Sequence, residues 1–369
     1  MSEIKLSERT QTLLTALALF SIALGIYIST LSTTITWENS GADSGELVTA
    51  IDILGVPHPP GYPIYMLAAW YVYLLVGNPL NALTLLSAIS GSLAIVPFYL
   101  LIHRLVGRQF AIAGSILFIA NPLIWSYSEA ALSDIPSMSL VILAVWLSVI
   151  GKKNNTAFLC SFIIMSLAAG VRLSNLPLVI ILFVPLLENV TKPKEIDWKR
   201  WSLGMVLFVI ATMAWLIPMV FLVGGGIDQY LQTTYKQWAT AVQPTAAHMS
   251  GWTTVFTVFS RLERFVIGYL VTYPSTGIYN NSLPNLLLVT PWIFGSALFI
   301  TYFRLRDVRC LVVAAWIGPI LLQSLVIHFL PRYGLPYWPG FMLACMIGFQ
   351  FLVHEIIRHP LRVEILSIL

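Results

Sequence analysis

Ionisable side chains crowd into one short stretch of this otherwise apolar chain, Trp37–Tyr65, with the sequence WENSGADSGELVTAIDILGVPHPPGYPIY. Asp43, Glu46 and His58 lie within it, although only 10% of the 369 residues are charged. A carboxylate placed against a hydroxyl group can take its proton as a new bond forms, so Asp43 is the candidate general base. Capping of a short helix is the competing role for Asp43, since aspartate readily accepts hydrogen bonds from free backbone N–H groups.

Glu46 and His58 are the other two candidates for a catalytic role in this stretch. Glu46 follows Asp43 by three residues, on the same face of a short helix that Gly55 would end. There it either supports the base electrostatically or faces water. His58 opens the HPPGYP run, whose prolines fix the backbone and predict an ordered, extended corner. His58 either hydrogen-bonds Asp43, contacts the substrate, or pins the corner through a backbone hydrogen bond.

A second acidic stretch, WSYSEAALSD, ends at Asp134 and contains Glu129. We expect one of these two acids to be the second site acid, binding the acceptor, but their sequence context does not decide between them. Asp134 opens a helix, so capping is again the competing role. Together with Asp43, the two acids are candidate ligands of a divalent cation such as Mg²⁺ or Mn²⁺, which prefers oxygen donors.

Basic and aromatic residues near the other end of the chain suit a phosphate. Arg332 and Tyr333 lie in HFLPRYGLPYWPG, with His328 just before them. Guanidinium is always charged and can donate two parallel hydrogen bonds to a phosphate. An arginine that merely reaches for the membrane surface is the competing interpretation of Arg332. Arg172 stands at the edge of an apolar segment, where its charge is expensive unless an acid or a phosphate neutralises it.

The elements that must position these residues are transmembrane helices. The chain is 58% hydrophobic with a mean hydropathy of +0.83, far from the average of soluble proteins. These values predict an all-α polytopic membrane protein with about ten spans. The net charge of +4 comes from scattered residues and is not a nucleic-acid signal. The ten predicted spans are 12–34, 79–103, 107–125, 136–150, 156–171, 174–190, 201–223, 284–303, 310–329 and 336–354.

Charge distribution sets the predicted topology. The apolar segment 61–77 is of marginal length and rich in aromatic residues, so it either spans or lies in the interface. If it lies in the outer interface and the N-terminus is cytoplasmic, fifteen of the twenty Lys and Arg residues fall inside, as the positive-inside rule requires. Both termini are then cytoplasmic, and Asp43 and the acids of the second stretch share the external face. A second interfacial helix is predicted over Trp252–Tyr273 in a later external loop.

The DSGEL run followed by GVPHPPGYP resembles one branch of the GT-C superfamily of membrane glycosyltransferases, a branch that includes a transmembrane protein O-mannosyltransferase. These enzymes carry an acidic residue in the first external loop and use lipid-phosphate-linked sugars. The resemblance implies a GT-C-type helical bundle with membrane-parallel helices in its external loops. It also implies that Arg332, with Tyr333, binds the donor phosphate. His328 would assist this binding, and Arg172 would pair with Asp134, Glu129 or the phosphate. His58 would then contact the sugar or the phosphate.

The predicted function is inverting transfer of a monosaccharide, such as mannose, from a polyprenyl- or dolichyl-phosphate donor to a hydroxyl group. The acceptor would be a protein, a glycan or a lipid at the external face. We expect a single transmembrane domain over 1–369, with modules at about 1–223 and 224–369 and no separate soluble domain. The alternatives are a transporter or lipid-linked sugar flippase, which needs ionisable groups near mid-membrane, and an inactive scaffold with the GT-C fold.

Overall fold

The computed structural model describes residues 7–35, 42–185, 196–223, 226–242, 294–304, 307–320 and 331–358. This part of the chain is almost entirely helical, as the predicted all-α class requires. The predicted interfacial helix Trp252–Tyr273 and the candidate His328 lie outside these residues. The helices are α1 (Glu8–Ser29), α2 (Ala42–Asp52), α3 (Pro63–Val76), α4 (Pro79–Leu105), α5 (Arg108–Ile119), α6 (Pro122–Ser128), α7 (Asp134–Gly151), α8 (Asn155–Val171), α9 (Trp198–Val223), α10 (Gly226–Val242), α11 (Val308–Ile317) and α12 (Trp338–Arg358).

Three further helical segments lie in the described part of the chain. A 3₁₀ helix over Leu173–Phe183 follows α8, and a shorter one over Pro331–Tyr337 leads into α12. Residues 294–302 are also helical. The first 3₁₀ helix carries Pro177, which cannot donate a backbone hydrogen bond. That residue explains why the predicted span at 174–190 does not begin as a regular α-helix.

Short polar side chains placed just before apolar runs set where several helices begin. In four helices a backbone N–H of the first turn donates a hydrogen bond to such a side chain: Ser7 for α1, Asn78 for α4, Asn121 for α6 and Asn154 for α8. Proline occupies the first position of α4 and α6, where its missing N–H costs nothing. The cap residue Asn121 lies inside the predicted span 107–125. Helices α5 and α6 meet there with a bend of 58°, so the predicted span is broken.

Among the described residues, five helices are long and apolar enough to cross a membrane, or six if the bent pair α5–α6 counts as one span. The predicted number of about ten is therefore not confirmed. Helix α3 has 14 residues, about 21 Å at 1.5 Å per residue, against a hydrocarbon core of about 30 Å. Its length fits a helix lying in the interface, which stays a prediction, as does the orientation of the termini.

The core of the bundle is built around α4 and α7. Helix α7 packs against both α4 and α8, α1 packs on α4, and α9 packs on α8. Tyr27, Tyr65, Phe98 and Tyr99 are fully buried in this core. Helix α9 is apolar yet largely exposed, as expected of a helix that faces lipid. This packing brings the start of α7, the end of α8 and the start of α2 close to Pro331–Tyr337.

Candidate active site

Arg332 and Asp43 form an ion pair, although 289 residues separate them in sequence. Asp43 lies in the first turn of α2, and Arg332 lies in the 3₁₀ helix before α12. Nη2 of Arg332 donates to Oδ2 of Asp43. The arginine side chain is 6% exposed and the carboxylate 26%. Both residues were predicted site residues, and the fold brings them into direct contact.

The guanidinium of Arg332 keeps further donor capacity. Its Nε and Nη1 atoms are buried and have no hydrogen-bond partner within the described part of the chain. Buried N–H groups without a partner are costly, and such groups in native structures often mark a ligand site. Arg332 is therefore placed to bind an anion next to Asp43.

Arg172 and Asp134 form a second, more deeply buried ion pair. Nη1 of Arg172 lies 2.8 Å from Oδ1 of Asp134, with the two side chains 10% and 1% exposed. The same nitrogen donates to Oγ of Ser133 at 3.2 Å. Asp134 is the first residue of α7, but its partner is the arginine beyond the end of α8. This pairing satisfies the condition under which a charge at the edge of the membrane is tolerated.

Tyr333 joins the two ion pairs. Its ring centroid lies 5.2 Å from Cζ of Arg172 and 5.4 Å from Cζ of Arg332. Aromatic rings attract cations over this range. One aromatic ring therefore contacts both guanidinium groups of the site.

Glu46, His58 and Tyr62 form a hydrogen-bonded chain beside these pairs. The backbone N–H of His58 donates to Oε1 of Glu46, and Nδ1 lies 2.5 Å from Oε2. On the other side of the ring, Nε2 lies 2.8 Å from the Tyr62 hydroxyl. Glu46 therefore faces the histidine, and the His58 ring bonds to Glu46 and Tyr62.

The HPPGYP corner that carries this chain is a tight turn, where an extended segment was predicted. The amide of Gly61 donates to the carbonyl of His58 at 3.0 Å. Gly61 has a φ of +87°, which glycine adopts without strain. Tyr62 follows in the left-handed region at φ 49° and ψ 47°. The glycine and the left-handed tyrosine turn the chain back, so that the Tyr62 hydroxyl reaches the ring of His58.

Glu129 occupies a different position from the other acids. It ends α6 and lies beside Thr30 and Trp125. Burial raises the pKa of Glu129 above its usual value, and hydrogen bonds from those two side chains oppose the shift. Of the two predicted second-site acids, Asp134 is the one that pairs with Arg172, the arginine that contacts Tyr333.

The acids do not assemble into a metal site. Within the residues that the structure describes, no three His, Cys, Asp or Glu side chains come together as metal ligands. Asp43 and Asp134 each face a guanidinium group, which would repel a divalent cation. The described side chains do not fit Mg²⁺ or Mn²⁺, and the divalent cation stays an untested prediction.

An apolar groove of about 620 Å³ adjoins the corner. Gly61, Pro63 and Trp70 line one side, from the corner and α3, and Trp215 and Met219 of α9 line the other. The groove is lined almost wholly by apolar side chains, so it suits a hydrocarbon chain rather than a polar ligand.

Two tyrosines that were not among the predicted site residues, Tyr62 and Tyr65, complete the site. Tyr62 is embedded in the proline-rich run, and Tyr65 looks like any aromatic residue of an interfacial helix. Tyr65 is fully buried, and its hydroxyl has no hydrogen-bond partner among the residues described. Burial, reinforced by the charge of Asp134, raises its pKa well above the usual value. Both tyrosines lie close in sequence to His58, and this closeness to a predicted site residue is the signal that could have identified them.

Comparison with known sequences finds similarity to protein O-mannosyl-transferases. Residues 43–196 match the model of the protein O-mannosyl-transferase TMEM260 N-terminal domain. The mouse protein O-mannosyl-transferase TMEM260 is 30% identical over 243 residues, covering 62% of this chain and 32% of that protein. The corresponding protein from Dictyostelium discoideum is 27% identical over 162 residues, 40% of this chain and 20% of its own length. The chain thus spans a third or less of these curated relatives.

Solved structures share the fold. ArnT from Cupriavidus metallidurans, in the apo state, superposes with a TM-score of 0.64 at 17% identity, covering 93% of this chain and 60% of its own. The same protein bound to undecaprenyl phosphate gives 0.61 at 16% identity, over 94% and 63%. The archaeal oligosaccharyltransferase AglB from Archaeoglobus fulgidus, with an inhibitory peptide and a dolichol-phosphate, gives 0.57 at 15%, over 94% and 51%.

These findings confirm the resemblance that the DSGEL and HPPGYP motifs predicted. The matched region begins at Asp43 and contains Glu46, His58, Asp134 and Arg172, whereas Arg332 lies beyond it. The chain has the fold of the GT-C membrane glycosyltransferases, and its residues 43–196 correspond to the N-terminal domain of the TMEM260 protein O-mannosyltransferases.

Proposed function

We propose that this protein is an inverting glycosyltransferase that moves a monosaccharide from a polyprenyl-phosphate donor to a protein hydroxyl group at the external membrane face. One observation carries the proposal. The buried guanidinium of Arg332 has two nitrogens without a hydrogen-bond partner among the described residues, and it lies directly against a partly exposed carboxylate, Asp43. This arrangement pairs a binder for a phosphate leaving group with a base for the attacking hydroxyl.

The reaction follows from this pairing. The acceptor hydroxyl attacks the anomeric carbon from the side opposite the phosphate, and its proton passes to Asp43. The bond between that carbon and the phosphate oxygen breaks, and its electron pair stays with the phosphate. Arg332 stabilises the charge that grows on the leaving group. A single displacement of this kind inverts the configuration of the sugar.

The apolar groove supports a lipid-linked donor. It opens beside Gly61 and Pro63, next to the corner that carries His58 and Tyr62. A polyprenyl chain lying there would bring its phosphate toward the charged site. ArnT binds undecaprenyl phosphate and AglB binds a dolichol-phosphate, and both share this fold. The relatives are named protein O-mannosyl-transferases, so mannose is the proposed sugar and a Ser or Thr hydroxyl group the proposed acceptor.

The position of the charges argues against the transporter alternative. Asp43 and Asp134 lie in the first turns of α2 and α7, Arg172 follows the last residue of α8, and Arg332 precedes α12. The site thus lies at helix ends, whereas a transporter binds its substrate near the middle of the membrane. A one-sided site is the arrangement expected of an enzyme that works at one surface.

The test is sugar transfer by the purified protein. Labelled mannose on a polyprenyl phosphate is offered together with a Ser/Thr-containing peptide, and the product is followed by mass spectrometry. We expect product with the inverted anomeric configuration, and none from the Arg332→Ala variant. Asp52→Asn is the matched control, since Asp52 is an exposed carboxylate at the other end of α2. Wild-type protein that binds the lipid phosphate but never transfers sugar would support the inactive scaffold instead.

A further inference from the structure

We propose that Tyr62 is a positioning residue of the donor-phosphate site: Glu46 and His58 fix its phenol, and its ring holds Arg172 and, through Tyr333, Arg332. This inference rests on the proposed function, because it concerns how the phosphate-binding arginine is kept in place. It gives Glu46 and His58 a role at the phosphate site in addition to the catalytic role predicted for them.

The first step is the fixed orientation of His58. Both carboxylate oxygens of Glu46 accept from this one residue, from its backbone N–H and from Nδ1. A carboxylate has no proton to donate, so Nδ1 carries the hydrogen. In the neutral ring Nε2 is then an acceptor, and the Tyr62 hydroxyl donates to it at 2.8 Å. The rings of His58 and Tyr62 meet edge to face, with centroids 5.2 Å apart.

The second step is the backbone of Tyr62. Its left-handed conformation is unfavourable for a residue with a Cβ atom. Such strain persists where surrounding contacts enforce it, and it concentrates at functional sites. The bond to His58 and the turn at Gly61 are the contacts that enforce it here.

The third step is the stack that Tyr62 begins. Cζ of Arg172 lies 6.0 Å from the Tyr62 ring and 5.2 Å from the Tyr333 ring. Tyr333 in turn lies 5.4 Å from Cζ of Arg332, the residue that bonds to Asp43. Aromatic rings and guanidinium groups therefore alternate from Tyr62 to Arg332. Removing the first ring frees one side of Arg172 and loosens the ring on which Arg332 rests.

A role for Tyr62 as the base itself is inconsistent with its surroundings. Burial raises its pKa to about 12, although the charge of Arg172 opposes the shift. The phenol is therefore neutral at physiological pH, and its single proton is engaged by His58. Its contribution is to hold its neighbours in position.

The experiment measures binding of undecaprenyl phosphate, without a sugar, to the purified full chain in nanodiscs. Tyr62→Leu removes the ring, and we expect about 10-fold weaker binding, the scale of losing an aromatic contact to a buried cation. Tyr62→Phe keeps the ring and should stay within about 3-fold of wild type. Tyr71→Leu is the control, because Tyr71 is an exposed tyrosine on α3, the helix that begins directly after Tyr62.

A double-mutant cycle with Arg332→Ala separates positioning from general support of the fold. If Tyr62 acts through the stack, Tyr62→Leu has little further effect once Arg332 is gone. Equal losses in both backgrounds would overturn the inference while leaving the donor site intact. Unchanged binding by Arg332→Ala alone would overturn the donor site, and this inference with it.

Glu46→Gln is a second and milder test of the same inference. The Glu46 side chain is 40% exposed, so replacing its carboxylate should not prevent folding. The amide removes the charge that orients His58. We expect binding about 3-fold weaker in the wild-type background and unchanged in the Arg332→Ala background. Wild-type affinity in the Glu46→Gln single variant would show that the hydrogen-bonded chain does not set the position of Arg332.

Discussion

Replacing Asp43 with asparagine tests the proposed chemistry most directly. Asparagine keeps the shape of the side chain and an oxygen that can accept a hydrogen bond from Arg332, but it cannot take a proton. We expect turnover to fall by about 10²–10⁴-fold, the usual contribution of a positioned general base. If Asp43 only caps α2, asparagine caps about as well, and turnover should hardly change.

The ion pair adds a second expectation, on donor binding. Exposed ion pairs are worth about 0–1 kcal/mol, and breaking a buried one costs about 3–5 kcal/mol. With side chains 26% and 6% exposed, the Asp43–Arg332 pair lies between these limits, at about 1–2 kcal/mol. A guanidinium can form two parallel hydrogen bonds to a phosphate through Nη1 and Nη2 or through Nε and Nη2. Both arrangements use Nη2, so a phosphate bound in this way either shares that nitrogen with Asp43 or displaces Asp43 from it. Removing the anionic competitor should therefore tighten donor binding, by up to about 5- to 30-fold.

The assay combines sugar transfer, equilibrium binding of undecaprenyl phosphate and thermal unfolding on the same preparation. Asp52→Asn, at the far end of α2, is the control and should match wild type in all three. Without donor, Asp43→Asn should unfold at a lower temperature, since Arg332 loses its partner, and added lipid phosphate should restore stability. Transfer by Asp43→Asn at close to the wild-type rate would refute the assignment of the base. Weaker donor binding would refute the competition between carboxylate and phosphate.

Four further outcomes follow from the site and its placement. Arg332→Ala should weaken lipid-phosphate binding strongly but measurably, and Arg332→Lys should rescue only part of it, because an ammonium cannot reproduce two parallel bonds; full affinity in the alanine variant would exclude the role. Asp134→Asn should destabilise the protein by about 3–5 kcal/mol in chemical unfolding, since its buried arginine partner loses its counter-charge. Glu129→Gln should leave the free energy of unfolding at pH 7 unchanged or increase it. The increase should fade at lower pH, where Glu129 is protonated in the wild type. A large loss of stability in Glu129→Gln but not in Asp134→Asn would reverse the ranking of the two acids. Cysteines at exposed Ile53 and Lys153 should label from opposite sides of the membrane, and labelling from one side would contradict the predicted topology.

The sequence indicated which charged residues are site candidates but not which of them pair with one another. Asp43, Asp134, Arg172 and Arg332 were all recognisable from residue type and local sequence, because charges are rare in an apolar chain. Which acid pairs with which arginine depends on how helices far apart in sequence pack together. The Arg332–Asp43 contact joins the last described helical region to the second helix, and no local pattern encodes such a contact.

Helix boundaries show the same division between local and long-range information. Asn121 is followed by a proline, and this local signal explains the bend between α5 and α6 inside a run that hydropathy alone treats as one span. Tyr62 is the opposite case. A residue before a proline favours extended backbone, yet Tyr62 is left-handed because His58 and Gly61 hold it there. Its role emerges only from the three-dimensional contacts.

The division of the site between two parts of the chain has a consequence for how such enzymes diverge. The proposed base and the Asp134–Arg172 pair belong to the region that matches the TMEM260 N-terminal domain, while Arg332 and Tyr333 come from outside it. Within the proposed site, the 3₁₀ segment Pro331–Tyr337 meets the matched region through the ion pair of Arg332 with Asp43 and the contact of the Tyr333 ring with Arg172. Under the proposed function, a substitution in this 3₁₀ segment would alter the donor-phosphate site without changing the sequence around the proposed base. The two proposed roles stay coupled through this ion pair, because any change that moves Arg332 also removes the partner of the Asp43 carboxylate.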